Sequence, residues 1–235
     1  MTVAVILAGG TGSRMNKDVA KQHIVVKEHE IIEYTLTAFS NCESVESIIV
    51  VSNADYINRV EAIRKFFPKL DRVVCGGKTR IESVYKVVQV LNDICGCDNK
   101  VIISDAARPC ITKREISEII RQLDTYIAVT TGLESYETLL KTEQGKITQI
   151  IPREGIIRQT SPEGYRMSAL KQLYLDVDEQ TICSYRNIGI DQLFDNGEKI
   201  GIVKSNPLNF KITDTNDLKL FESILKKGFE NIINS

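Results

Sequence analysis

The sequence predicts an α/β fold built on a mostly parallel, twisted sheet. Short runs of β-branched apolar residues alternate with amphipathic segments of helical periodicity, and a glycine-rich loop follows the first run directly. Strands that are buried on both faces of a parallel sheet are nearly continuous in apolar character. Alternation of such strands with helices places helices on both sides of the sheet. A chain of 235 residues suits one domain, and we expect that domain to span 1–235 with one protruding arm.

The predicted elements follow one another regularly along the first half of the chain. The strand candidates are 2–7, 47–52, 71–75, 100–104 and 127–131, and the helix candidates are 30–40, 54–66, 79–94 and 113–124. Within the third helix the apolar residues have the 3, 4, 7 spacing of one helical face: Ile81, Val84, Val87, Val88 and Leu91. Glu115 falls in the first turn of the fourth helix, which starts at Thr112 or Lys113.

From residue 134 a β-hairpin is predicted to interrupt this alternation. Glu137–Lys141 and Lys146–Ile151 have strand character, and Thr142-Glu143-Gln144-Gly145 between them is typical of a hairpin turn. We expect this arm, about 134–156, to protrude and to serve a specific purpose, such as reaching a neighbouring subunit. The α/β pattern then resumes with helices near 167–176 and 183–195, a strand at 200–204, and a C-terminal helix from 213 or 214 to about 227.

Composition and charge restrict the classes of partner. Hydrophobic residues make up 43% and charged residues 26% of the chain, an ordinary globular mixture, and the formal net charge is -1. Without a basic excess we expect no nucleic-acid partner. The apolar run before Gly9-Gly10 is too short for a signal peptide or a membrane helix, so we expect a cytoplasmic protein with no membrane attachment. The six cysteines are scattered, which favours reduced thiols over a zinc site.

The glycine-rich loop Leu7–Met15 is the first functional feature. Glycines let backbone N–H groups approach an anion closely, and ligands of open parallel sheets bind beyond the carboxyl ends of strands, where this loop lies. Arg14 and Lys21 can neutralise phosphate charge. The loop therefore predicts a phosphate site, with a tight turn that holds no ligand as the alternative.

Two other phosphate-binding motifs fit the sequence less well. A dinucleotide fingerprint requires Gly or Ala where Met15 stands, and a P-loop ending in Gly77-Lys78-Thr79 requires Gly where Arg72 stands.

His23 and His29 lie among charged residues, so we expect both on the surface rather than in a hydrolase centre.

Four segments resemble, in order, the motifs of the cytidylyltransferases of methylerythritol phosphate and of ribitol phosphate. They are Leu7–Met15 with Ala20-Lys21-Gln22, Gly76–Val84, Asp105-Ala106-Ala107-Arg108-Pro109, and Asn209–Thr213. The resemblance extends from about 3 to 222 and implies a Rossmann-like nucleotidyltransferase domain. It also implies a reaction in which an alcohol phosphate attacks the α-phosphorus of CTP in line, so that pyrophosphate leaves and a CDP-alcohol forms.

The resemblance implies a role for each motif residue. Arg14, Lys21 and Lys211 are the expected catalytic residues, and Asp105 is the expected ligand of Mg²⁺. Such a reaction needs positive charge rather than a nucleophilic side chain, because the substrate phosphate is itself the nucleophile. The nucleotide-binding residues implied are Leu7, Ala8, Gly9, Gly10, Thr11, Gly12, Gly77, Arg80, Ser83 and Ala106.

On the acceptor side the resemblance implies a homodimer in which the arm of one subunit completes the site of the other. Thr138 and Arg153 are the expected arm residues, and Arg108 and Ser161 the expected residues of the home subunit. A solvated arginine beside Glu154 is the alternative interpretation of Arg153.

The departures from the family pattern are concentrated on the acceptor side. Ser104 replaces a histidine, Ser161-Pro162-Glu163 replaces T-P-Q, and Asn187–Asp191 replaces T-D-[ED]-[AC], whereas Ala20 in place of proline leaves the nucleotide side nearly intact. These changes favour a linear polyol phosphate, such as ribitol 5-phosphate used for a surface polymer. Methylerythritol phosphate of isoprenoid synthesis stays open, as do a non-catalytic nucleotide-binding module and an NAD-dependent oxidoreductase.

Overall fold

The computed structural model describes residues 1–10, 19–177, 182 and 189–233. The strands are β1 Thr2–Ala8, β2 Val25–Val26, β3 His29–Glu30, β4 Ser47–Ser52, β5 Leu70–Cys75, β6 Lys100–Asp105, β7 Ala128–Glu134, β8 Leu139–Glu143, β9 Lys146–Ile151, β10 Ile157–Gln159, β11 Glu163–Arg166 and β12 Ile200–Lys204. The helices are α1 Ile31–Ser40, α2 Ile57–Ile63, α3 Arg80–Ile94, α4 Lys113–Gln122, α5 Met167–Tyr174, α6 Ile190–Asp195 and α7 Thr215–Ile233.

Eight strands form the central sheet in the order β10-β7-β11-β6-β1-β4-β5, with β12 beside β7. β1 pairs in parallel with β4 and β6, β4 with β5, and β12 with β7. β11 runs antiparallel between β6 and β7, and β10 runs antiparallel to β7. The prediction of an α/β fold with a mostly parallel sheet is therefore confirmed.

Helices cover both faces of the sheet because alternate side chains of the buried strands point in opposite directions. On β1, Ala4 and Ile6 belong to the core that includes α1 and α4, while Val3 and Val5 belong to the core that includes α3 and α5. This two-sided burial explains the continuous apolar runs in the sequence, and it places the ends of the strands, rather than their faces, at the surface.

Several element boundaries differ from the predicted ones. The segment 54–66 is not one helix, because α2 is flanked by the 3-10 turns Ala54–Tyr56 and Arg64–Phe66. β7 continues to Glu134, since its second half gains a partner in β10. β10 and β11 were not predicted, because strands of three and four residues carry little periodicity.

The last helix also differs from its predicted bounds. It begins at Thr215 and continues past 227 to Ile233, with a break at Gly228, where φ is 104°. Of the helix predicted near 183–195, α6 is described, and 183–188 lie outside the described residues.

The arm forms a separate two-stranded sheet of β8 and β9. Its first strand begins two residues after the predicted start at 137, and the turn residues Gln144 and Gly145 have positive φ angles of 50° and 77°. Four apolar side chains of its strands are exposed: Leu139, Leu140, Ile147 and Ile150, the last two at 59% and 64%. An isolated two-stranded hairpin is marginally stable at best in water, so this apolar surface is suited to burial against a partner.

No helix among the described residues is both long enough and apolar enough to cross a bilayer.

Candidate active site

A cavity of about 300 Å³ lies beyond the carboxyl ends of β1 and β6, and its walls come from separate parts of the chain. This is the edge at which ligands bind in open α/β sheets. Of the residues predicted to form the site, the cavity brings together Leu7, Gly9, Gly10, Lys21, Gly77, Arg80, Ser83, Asp105, Ala106 and Lys211.

The glycine-rich loop is held in place by the turn that carries Lys21. The Gln22 side chain donates from Nε2 to the carbonyl oxygens of Ala8 and Gly10, at 2.5 and 3.0 Å. The side chain of Ala8 is buried, and the residue does not line the cavity. Thr11, Gly12 and Arg14 lie outside the described residues.

His23 is buried, so the prediction that both histidines are on the surface is wrong for this one. Its ring stacks on Tyr56 with centroids 4.6 Å apart, and Nδ1 lies 2.6 Å from Oε2 of Glu30. Arg59 contacts the same carboxylate and donates to the backbone oxygen of His23. Burial raises the pKa of Glu30, but His23 and Arg59 outweigh burial and leave that pKa below its ordinary value.

The sequence could not reveal this burial, because the partners of His23 come from other elements. Together with Tyr56, which accepts a hydrogen bond from the backbone of Ala20 at 3.0 Å, the cluster fixes both ends of the turn that presents Lys21. His29 is exposed, as expected.

The opposite wall of the cavity is the tight loop before α3. The backbone N–H of Gly77 donates to Oγ of Ser83 at 3.0 Å, and this hydroxyl donates to the carbonyl oxygen of Thr79 at 2.8 Å. A Cβ atom on Gly77 would lie 2.2 Å from Cβ of Glu82, so the close approach of loop and helix requires glycine at this position. Thr79 caps α3 by accepting from the N–H of Glu82.

Asp105, at the end of β6, lies between two cationic side chains. Its Oδ2 is 3.1 Å from Nζ of Lys211 and 3.3 Å from Nε of Arg108. Burial raises the pKa of Asp105, but the charges of Lys211 and Arg108 outweigh burial and hold that pKa below its ordinary value of 3.8. Asp105 is therefore ionised at neutral pH, and the cavity contains a fixed negative charge among positive ones.

Arg80 connects the nucleotide side of the cavity to β11. Its Nη2 lies 3.4 Å from Oε2 of Glu163, which also accepts from the hydroxyl of Tyr165 at 2.9 Å. The other oxygen of Glu163 accepts from Nε2 of Gln159 at 2.9 Å. Burial raises the pKa of Tyr165 well above its ordinary value, so this hydroxyl stays protonated and donates.

The four predicted acceptor residues do not line the cavity of their own chain. Arg108 donates from Nη1 to the carbonyl oxygen of Asn209 at 2.9 Å, and Nδ2 of Asn209 donates to that of Ser161 at 2.8 Å. Thr138 and Arg153 are exposed and lie at the base of the arm, where Nη1 of Arg153 donates to the carbonyl oxygen of Tyr136 at 3.1 Å.

Asp105 is a suitable ligand for Mg²⁺. In the part of the chain that the structure describes, no group of three or more His, Cys, Asp or Glu side chains could form a cage for a metal. Mg²⁺ does not need one, since it usually binds through one or two carboxylates together with substrate phosphates and water. Both cationic contacts of Asp105 are to Oδ2, and an ionised carboxylate has further acceptor positions.

Four residues that line the cavity were absent from the predicted site: Gln22, Lys78, Thr79 and Ala107. Each stands beside a predicted residue within a motif, and that adjacency was the only signal in the sequence. Asn209, which joins Arg108 to Ser161, was predicted only as the first residue of its motif, without a role of its own.

A cavity that surrounds a single carboxylate with lysine and arginine side chains, beside a glycine-rich loop, is suited to binding several phosphate groups at once. Transfer of a nucleotidyl group between phosphates is the class of chemistry that such a site serves.

The comparisons with known proteins agree with this class. The profile of the family described as 2-C-methyl-D-erythritol 4-phosphate cytidylyltransferase (IspD) matches residues 2–227. The chain is 30% identical to a 2-C-methyl-D-erythritol 4-phosphate cytidylyltransferase of Thermotoga neapolitana over 97% of this chain and 98% of the relative. It is also 30% identical to a ribitol-5-phosphate cytidylyltransferase of Lacticaseibacillus paracasei, over 97% and 99%.

Among solved structures, the 4-diphosphocytidyl-2C-methyl-D-erythritol synthase of Anaerococcus prevotii superposes with a TM-score of 0.81 at 22% identity, over 96% of this chain and 98% of that one. That similarity shows the fold. The sequence matches show the family, and the chain belongs to the IspD cytidylyltransferase family. It is therefore an enzyme, a nucleotidyltransferase, as the sequence predicted.

Proposed function

We propose that this enzyme transfers the cytidylyl group of CTP to a linear polyol phosphate, with ribitol 5-phosphate as the expected acceptor. The observation that supports the transfer step most directly is that Lys211 and Asp105 meet in the cavity that the glycine-rich loop borders, with Arg108 as the second partner of Asp105. Membership of a cytidylyltransferase family supports CTP as the donor.

In the proposed reaction, an oxygen of the acceptor phosphate forms a bond to the α-phosphorus of CTP. The bond between this phosphorus and the oxygen that bridges to the β-phosphate breaks, and pyrophosphate carries away the electron pair. Lys211 would stabilise the negative charge that develops on the α-phosphate oxygens, and Lys21 would hold the departing pyrophosphate. No side chain has to form a covalent intermediate.

Asp105 would hold Mg²⁺, which neutralises charge on phosphate oxygens in this type of transfer. The ion pairs with Lys211 and Arg108 keep Asp105 ionised and oriented before substrates arrive. Orientation in advance matters because electrostatic stabilisation is largest when the charged groups do not have to reorganise during the reaction.

Two departures from the family pattern support a polyol. Ser161 and Glu163 stand where the family typically has threonine and glutamine. Neither lines the cavity, but each is joined to an active-site arginine: Glu163 pairs with Arg80, and the backbone oxygen of Ser161 accepts from Asn209, which binds Arg108. Changes at positions that support the acceptor side, with the nucleotide side nearly intact, favour an acceptor other than methylerythritol phosphate.

A second candidate is 2-C-methyl-D-erythritol 4-phosphate. The family description names this acceptor, and so does the name of the Thermotoga neapolitana relative. Both candidates share the same transfer chemistry, so the acceptor alone separates them.

We further propose that the arm packs against a second copy of the chain and contributes Thr138 and Arg153 to the acceptor site of that copy. The exposed apolar residues of β9 and the exposed position of Arg153 support this assignment. A guanidinium at this place can bind the acceptor phosphate through two parallel hydrogen bonds.

The test is pyrophosphate release from the purified enzyme with CTP and Mg²⁺, across a panel of ribitol 5-phosphate, other pentitol phosphates, glycerol 3-phosphate and methylerythritol 4-phosphate. The highest kcat/KM with ribitol 5-phosphate or another pentitol phosphate is the expected result. The highest value with methylerythritol 4-phosphate would overturn the polyol proposal in favour of the second candidate. Release with ATP or UTP equal to that with CTP would contradict the nucleotide assignment.

A further inference from the structure

We propose that Glu115 is a positioning residue of the transfer reaction, because its buried carboxylate ties together the two segments that carry Asp105, Arg108 and Lys211. The proposal rests on the function proposed above. Glu115 lies in the first turn of α4, is 4% exposed and does not line the cavity. It therefore acts through other residues rather than on the substrates.

Each oxygen of the Glu115 carboxylate serves a different segment. Oε2 accepts from the backbone N–H and the hydroxyl of Thr112, at 3.0 and 2.9 Å, at the end of the segment that begins with Asp105. Oε1 accepts from the hydroxyl of Ser205 and the backbone N–H of Asn206, both at 2.8 Å, and Nδ2 of Asn209 lies 3.4 Å away. These five donors are all uncharged.

The link continues from Asn209 into the site. Its Nδ2 also donates to the carbonyl oxygen of Ser161, and its own carbonyl oxygen accepts from Arg108. Two residues further along the chain, Lys211 reaches Asp105. Asn209 and Lys211 both belong to the segment that follows β12. If this segment shifted, Lys211 would move together with Asn209, which is the shared partner of Arg108 and Ser161.

Two acceptor oxygens are needed at this position for a reason of hydrogen-bond chemistry. Oε1 faces the backbone N–H of Asn206, and Oε2 faces that of Thr112. Backbone N–H groups can only donate, and the nitrogen of a glutamine side chain can only donate as well. Whichever way a glutamine is turned, one backbone N–H loses its acceptor, so one of the two segments is released.

The decisive comparison is Glu115→Gln against Glu118→Gln. Glu118 lies one turn further along α4, and its carboxylate accepts from Arg121 and Gln122. Its substitution therefore repeats the chemical change on the same helix without removing any of the hydrogen bonds that Glu115 makes to 205–209. Steady-state kinetics would be measured for each substrate, together with the Kd for CTP and the Tm.

For Glu115→Gln we expect kcat to fall about tenfold or more and the KM of the alcohol phosphate to rise, because a misplacement of about 1 Å can cost on the order of 100-fold in rate. The Kd for CTP should change much less, since the wall formed by Gly77 and Ser83 is fixed by its own hydrogen bonds. Glu118→Gln should retain the wild-type kcat.

Ser205→Ala provides a milder test in case Glu115→Gln does not fold. It removes one donor to Oε1 and leaves both backbone partners of the carboxylate in place, so we expect a severalfold fall in kcat with the Kd for CTP unchanged. Val60→Ala, on the buried face of α2, controls for lost stability, because it should lower the Tm without changing kcat.

The two proposals fail in different ways. If the wild-type enzyme released pyrophosphate but Glu115→Gln and Ser205→Ala kept kcat and both KM values within twofold, with at most a lower Tm, the positioning role would be refuted while the proposed function stood. If the wild-type enzyme used none of the alcohol phosphates, the proposed function would fail first.

Discussion

Replacing Lys211 with methionine separates the catalytic use of its charge from its contribution to the fold. Methionine keeps an unbranched stem of similar length but removes the ammonium group that lies 3.1 Å from Asp105. At an effective dielectric constant of about 20, a pair of charges this close would interact by about 5 kcal/mol if it were unscreened. The Lys211 side chain is 39% exposed, and exposed pairs contribute only about 0–1 kcal/mol.

The expected loss of stability is therefore small. Arg108 stays 3.3 Å from Asp105, so the carboxylate keeps a partner after the substitution. For a chain of this size, a loss of about 1 kcal/mol lowers the Tm by about 2–4 °C. The expected loss of activity is much larger, because removing one group that stabilises transition-state charge costs about 100–1000-fold in kcat.

The assay is pyrophosphate release at saturating CTP and acceptor, alongside thermal unfolding. Lys204→Met is the matched control, since Lys204 pairs with Glu134 at 3.5 Å in an exposed position and should not affect turnover. Lys211→Arg should recover part of the activity by restoring the charge. A Lys211→Met enzyme with kcat within threefold of the wild type would refute the assignment of Lys211 to the transition state.

Three further predictions concern the loop, the carboxylate and the arm. Gly77→Ala should raise the KM for CTP by about tenfold or more, because the new Cβ would lie 2.2 Å from that of Glu82 and the loop has to shift; an unchanged KM would show that the loop adapts. Asp105→Asn should abolish Mg²⁺-dependent turnover. The same substitution should weaken the fall of Tm at acidic pH. The folded pKa of Asp105 lies below 3.8, so the ionised carboxylate stabilises the fold above its unfolded pKa, and this stabilisation is lost as the pH falls through the folded pKa. Ile150→Asp changes a side chain that is 64% exposed, so it should leave the Tm of the monomer unchanged. It should shift size-exclusion elution from dimer to monomer and raise the KM of the acceptor. Monomeric elution of the wild type would contradict the proposed dimer.

The fold could be predicted because its strongest signals are local. The strands 2–7, 47–52 and 100–104 are apolar on both faces, which in an α/β chain leaves few alternatives to a buried parallel sheet. The short strands β10 and β11 were not predicted. β11 has four residues and owes its place to the gap between β6 and β7 rather than to its own periodicity.

Much of the candidate site could also be anticipated, since the carboxyl ends of parallel strands meet at one edge of a sheet. The loops after β1, β5 and β6 were therefore expected to lie near one another, and the cavity borders all three. The motifs do not indicate which charged side chains pair with one another inside the cavity. The pairing of Lys211 with Asp105 depends on how the segment after β12 crosses that edge.

The amino-acid sequence by itself determined the class of fold, the position of the glycine-rich loop and the residue types that handle phosphate, because each depends on neighbours along the chain. Only the tertiary structure decided that His23 is buried against Glu30 and that Glu115 joins two segments of the site. The Glu115 carboxylate and the Ser205 hydroxyl are 90 residues apart in the chain and 2.8 Å apart in space. Hydrogen bonds to a buried carboxylate require donors from whichever elements happen to surround it, and those elements are fixed by the packing of the sheet rather than by any local pattern.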